Sequence, residues 1–113
     1  MKVVILDESK KRKQEVSDML EEKGYDVVAC AATGEFMETI ETTSPDTILM
    51  DVESWQRGKP IYNYFKFSRK LGEIPILFYN APENFNNIID RSQNQHDKVF
   101  HKQVDIDEIV SNV

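Results

Sequence analysis

The sequence predicts an α/β fold, a doubly wound sheet of five parallel strands in the order 2-1-3-4-5 with helices on both faces. Three observations predict it. Short, continuous apolar runs recur along the chain, as strands buried on both faces require. Each run is followed by apolar residues at helical spacing. The connections are short, and no repeat or low-complexity tract breaks the alternation, so the chain reads as successive βαβ units.

The first strand is Lys2 to Leu6, rich in β-branched residues. Asp7 and Glu8 follow at its carboxyl end. Ser9 caps a helix whose apolar positions are Val16, Met19 and Leu20, and Gly24 stops it. The second strand runs from Asp26 to Ala31, with Cys30 as a small buried hydrophobe. Thr33 and Gly34 turn the chain. Phe36, Met37 and Ile40 mark one face of a second helix, which ends before Pro45. The third strand, Thr47-Ile48-Leu49-Met50, ends on Asp51. Val52 to Lys59 reads as a loop.

Pro60 fits the first turn of a third helix carrying Ile61, Tyr64, Phe65 and Leu71. Ile74 to Tyr79 is the fourth strand, and Asn80 and Ala81 follow it. Pro82 opens a weaker helix with Phe85, Ile88 and Ile89, and the polar run from Ser92 to Asp97 connects onward. Val99 and Phe100 form the fifth strand, ending at His101 and Lys102. Asp105 and Glu108 have capping-box spacing at the start of a last helix, with Ile106, Ile109, Val110 and Val113 on its apolar face. That apolar pattern still runs at Val113. The expectation is one domain over residues 1–113, the N-terminal part of a longer protein, with its last helix cut short.

Composition excludes several roles. The net charge is −6 and the pI about 4.9, which argues against nucleic-acid binding by this domain. The one basic cluster, Lys10 to Lys13, reads as a solvated helix face. Cys30 is the only cysteine, so no internal disulfide forms. No apolar run reaches the length of a membrane span and no signal-peptide pattern precedes the first strand, so the expected location is the cytoplasm. His96, His101 and Cys30 have no zinc spacing. No Ser-His-Asp or Cys-His arrangement is present, and the domain is not expected to be an enzyme.

The carboxyl ends of parallel strands are where ligands bind in such sheets. There the sequence places Asp7 and Glu8, Asp51, Asn80 and Lys102. Clustered carboxylates repel, and a hard divalent cation such as Mg²⁺ relieves that repulsion. Lys102 adds a mobile positive charge. The set suits a carboxylate nucleophile, Asp51, attacking phosphorus to form an acyl phosphate. A flavodoxin-like cofactor protein would need a Ser/Thr/Gly-rich cradle after the first strand, where this chain has two acids.

These residues carry a resemblance. VVILDES, PDTILMD, IPILFYNA and VFHKQVDIDEI together resemble a response-regulator receiver domain (CheY-like) of two-component signalling, over essentially the whole chain. The resemblance implies phosphorylation of Asp51 by a histidine kinase or phosphotransfer protein. It implies Mg²⁺ held by Asp7, Glu8, Asp51 and the backbone carbonyl of Glu53, with Lys102 as the family lysine. Signalling to an output domain or partner protein would use the face of the fourth and fifth strands and fourth helix; a homodimer is left open.

The sequence departs from the family where a signal is transmitted. Asn80 stands at the position of the switch hydroxyl. Val99 replaces the fifth-strand aromatic, with Phe100 on the opposite face, and Gln103 replaces the usual proline. Ser54-Trp55 replaces a Met-Pro pair; Trp55 shields Asp51, forms a contact surface or packs on the third helix. The chemistry residues are present and the switch residues are not, so the alternative is a receiver-like interaction module that needs no phosphorylation.

Overall fold

In the computed structural model the described residues are 1–57, 74–82 and 97–113. The elements are β1 (Lys2–Leu6), α1 (Lys10–Glu22), β2 (Asp26–Cys30), α2 (Thr33–Thr43), β3 (Thr47–Asp51), α3 (Val52–Arg57), β4 (Ile76–Ala81), β5 (Lys98–His101) and a final helix, α4 (Ile106–Ser111). The five strands form one parallel sheet, as the alternation predicts, and its order is β2-β1-β3-β4-β5, the expected one of two common solutions.

The period-two alternation of the strands sorts the core into two layers. Val4 and Leu6 of β1, Ile48 and Met50 of β3, and Ile76 and Phe78 of β4 pack with Phe36 and Ile40 of α2. Val3 and Ile5, Leu49, and Leu77 and Tyr79 face the other way, onto Val16 and Leu20 of α1 and Ile109 and Val110 of α4. Val99 lies against the first layer and Phe100 against the second, so the fifth strand turns its aromatic to the face the sequence predicts. Cys30 is buried, and burial first of all pushes its thiol up, keeping it a protonated hydrophobe.

Helix ends follow local chemistry. The Ser9 side chain accepts the Arg12 backbone N–H at the start of α1. Gly24, at φ +87°, takes the left-handed turn beyond its end. Ser44 takes the same region after α2, just before Pro45.

Four expectations need correction. Val52–Arg57 is helix rather than loop. The Asp51 carboxylate accepts the Ser54 backbone N–H, so Asp51 acts as a helix N-cap as well as a strand end. The second strand stops at Cys30, before Ala31, and β4 runs from Ile76 through Ala81, so Asn80 lies within a strand. At α4, Asp105 occupies the cap position but its side chain makes no capping bond; its backbone carbonyl accepts from Glu108 and Ile109. Residues 60–71, 83–89 and 92–96, which carry two expected helices and the polar connection with His96, and the side chain of Trp55 lie outside the described residues.

Phe36 is fully buried between α2 and the sheet. Phe36→Ala is expected to lower stability by about 3–5 kcal/mol, measured by urea unfolding.

Candidate functional site

Strand parity builds the site. Continuing the alternation of β1 and β3 by one step puts Asp7 and Asp51 on the α1 side of the sheet, the side Tyr79 also faces. The register pairs Leu6 with Met50 and Asp51 with Tyr79, so the three polar groups stand in a row on neighbouring strands. The α1 N-terminus lies over that row.

Arg12, in the first turn of α1, reaches into it. Its Nε donates to Asp7 Oδ2 at 2.7 Å and its Nη2 to Asp7 Oδ1 at 2.9 Å. The same Nη2 lies 3.3 Å from Asp51 Oδ1. Tyr79 donates its hydroxyl to Asp7 Oδ2 at 2.6 Å, and the guanidinium carbon sits 5.9 Å from the centre of the Tyr79 ring. The Ser9 backbone N–H donates to Asp7 Oδ1 at 2.8 Å. Asp7 is 0% exposed, yet every partner a buried carboxylate needs is in place. The hydrogen bond to Asp7 is the main reason the Arg12 guanidinium is held above its already high ordinary value, and it stays charged.

Asp51 is 1% exposed and equally engaged. Its Oδ2 accepts the Ser54 hydroxyl at 2.9 Å and the Ser54 N–H at 3.2 Å. Its Oδ1 accepts the Asn80 amide at 3.0 Å. Ser54 Oγ in turn accepts the Glu8 backbone N–H at 3.2 Å, tying the β1–α1 turn to α3. Asn80 has φ +59°, in the left-handed region, where the β4–β5 register shifts between Phe78 and Ala81. That bulge aims its amide at Asp51. Asparagine tolerates this backbone; β-branched residues do not.

The predicted site residues therefore divide. Asp7, Asp51 and Asn80 come together. Glu8 is exposed and contributes its backbone N–H to Ser54. Glu53 lies in the first turn of α3, where backbone carbonyls run along the helix towards its C-terminal end. Lys102 is exposed, and its Nζ is 3.8 Å from Glu53 Oε1 rather than paired with Asp51. His101 is half-buried at the end of β5, and its Nδ1 meets no hydrogen-bond partner among the described residues.

Arg12, Tyr79 and Ser54 are the residues sequence reasoning missed. Arg12 was hidden in a basic run that reads as a solvated face. Lys10 and Lys11 are indeed exposed, but Arg12 turns inward. The signals were available: Asp51 and Ser54 have N-cap spacing, and Tyr79 shares strand parity with the acids.

The Mg²⁺ that the resemblance implies does not fit this arrangement. Asp7 and Asp51, two of the residues that would hold it, already share the Arg12 guanidinium. Among the described residues no three His, Cys, Asp or Glu side chains are grouped to hold a metal.

Two outcomes follow from this geometry. Asn80→Thr would restore the family hydroxyl but place a β-branched residue at φ +59°. It is expected to cost about 1–3 kcal/mol in urea unfolding rather than improve the site. Burial first, and then the Asp7 charge, push the Tyr79 phenol well above its ordinary value. The unfolded phenol ionises near about pH 10 while the folded one keeps its proton. Its contribution is thus complete below that pH and is lost as pH rises further. Stability against pH is expected to fall more steeply above about pH 10 in the native chain than in Tyr79→Phe.

Comparison with known proteins agrees with the fold. A family model described as the TP_0454_N N-terminal domain matches residues 1–99. The response regulator protein GraR of Staphylococcus epidermidis is 29% identical over 87 residues, covering 74% of this chain and 37% of that protein. The chain thus spans well under half the length of the curated relatives it matches. The chemotaxis response regulator CheY4 of Vibrio cholerae superposes with a TM-score of 0.81 at 19% identity, covering 97% of this chain and 92% of that one. The pseudo-receiver domain of the CikA protein superposes with a TM-score of 0.70 at 15% identity, covering 97% and 91%. These structural likenesses concern the fold alone. With its strand order, its paired strand-end acids and a family match over most of its length, the chain belongs to the TP_0454_N N-terminal domain family and is a receiver domain of the CheY-like kind.

Proposed function

We propose that this domain is an interaction module of a two-component type of pathway that acts without phosphorylation of Asp51. One observation carries the reading: both oxygens of a carboxylate that is 1% exposed are already taken by Ser54, Asn80 and Arg12. Attack on phosphorus needs an oxygen that a phosphodonor can approach in line. Here that approach requires breaking buried, charge-assisted hydrogen bonds first. The lysine that would neutralise a phosphoryl oxygen pairs instead with Glu53.

The domain then works by binding, not by catalysis. Its partner classes are a histidine kinase or phosphotransfer protein and an output domain or partner protein. The likeness to a response regulator over 37% of that protein supports an output region elsewhere in the polypeptide. Its place of work is the cytoplasm, where two-component partners of these classes meet; no described helix is long and apolar enough to cross a membrane. The opposite reading, a phosphoryl acceptor signalling through the face of the fourth and fifth strands, is supported by Asp51 ending β3 one strand from Asp7.

Incubation with acetyl phosphate and Mg²⁺, followed by intact mass measurement, separates the two. The expected result is no adduct. A gain of one phosphoryl group that disappears in Asp51→Asn would overturn the proposal.

A further inference from the structure

We infer that Arg12 is the built-in cation of this domain: its guanidinium holds Asp7 and Asp51 together and thereby excludes a divalent metal ion from the strand ends. The inference concerns the cation and not the phosphoryl group, so it stands or falls separately from the reading above.

Two nearly inaccessible carboxylates on adjacent parallel strands require a positive charge between them. A single nitrogen, Nη2, meets both, at 2.9 Å from Asp7 Oδ1 and 3.3 Å from Asp51 Oδ1. A metal ion held by Asp7 and Asp51 would compete with this nitrogen for the same two carboxylates. Mg²⁺ demands its oxygens at about 2.0–2.1 Å in octahedral geometry and cannot share them with a guanidinium lodged between them. Arg12 is also fixed from several sides. Its backbone N–H is held by Ser9, its Nε by Asp7, and its guanidinium lies beside the Tyr79 ring. A guanidinium does not lose its proton in the working pH range, so the charge is permanent where a metal's is conditional on supply.

The consequence is a site that metal does not stabilise until one side chain is shortened. Thermal unfolding of the native chain, Arg12→Ala and the double variant Arg12→Ala/Asp51→Asn, each in EDTA and across a Mg²⁺ series, tests this. The native chain is expected to melt at the same temperature throughout. Arg12→Ala is expected to melt lower in EDTA and to recover saturably with Mg²⁺. The recovery should be about 10 °C at a Mg²⁺ concentration about a hundredfold above its dissociation constant. The double variant should show no recovery. If Arg12→Ala is unfolded in EDTA, refolding on Mg²⁺ addition, followed by circular dichroism, is the same readout. A native chain stabilised by Mg²⁺ as strongly as Arg12→Ala, or an Arg12→Ala that neither gains stability nor refolds with Mg²⁺, overturns the inference. An aspartyl phosphate formed equally well in EDTA would support it, while overturning the phosphorylation-independent reading.

Discussion

The contact of one arginine with two carboxylates organises the functional end of this domain. Parallel pairing of β1 and β3 forces Asp7 and Asp51 side by side, and strand parity turns both towards α1. Without compensation, that placement would work against the sheet that produces it. Breaking such a buried pair by deleting one partner typically costs about 3–5 kcal/mol, with less expected here because the Arg12 side chain keeps 29% exposure. The same contact settles a conflict within α1. Its first turn carries Lys10, Lys11 and Arg12 and no acid, opposite to what the helix dipole favours. Asp7, just before the helix, supplies the missing negative charge and accepts the Ser9 N–H. One carboxylate thus serves the helix end and the arginine together.

Most of the fold was legible because it rests on short-range pattern. Val3 to Leu6, Ile48 to Met50 and Ile76 to Phe78 are continuous apolar runs, and only a sheet covered on both faces buries every residue of such a run. Val16, Leu20, Phe36 and Ile40 carry the helical period that covers it. What was not legible depends on hydrogen bonds that have no period. Val52–Arg57 looks like a loop because it is short and polar, and a short helix draws its stability from its cap and its packing, not from propensity. The cap is the Asp51 carboxylate, a group that sequence reasoning reserved for chemistry.

At the site, the positions were legible and the partnerships were not. Asp7, Asp51 and Asn80 meet because register alone brings strand ends together. Long flexible side chains escape that rule. Lys102 has enough reach to choose among acids, and it lies nearest Glu53, on the short helix that was read as a loop. Arg12 belongs to a run of four basic residues, three of which give no sign that the remaining one is turned onto an acid. Only its spacing from the cap, three residues after Ser9, places it over the sheet end.

Asn80 shows how these local choices exclude the usual switch. A threonine at this position would have to take a backbone that β-branched residues disfavour. Here the β4–β5 ladder is irregular, and the residue in the bulge sits at φ +59°. That conformation selects asparagine over threonine on steric grounds, before any question of function arises. The amide then closes one oxygen of Asp51, while Ser54 closes the other. On the neighbouring edge strand, Val99 offers no aromatic to respond to movement at residue 80, because Phe100 packs into the opposite layer. The departures from the receiver pattern are therefore not independent losses. A bulge, the residue it selects and a strand that turns its aromatic away belong to one arrangement, and the positive charge set between its two carboxylates comes from α1.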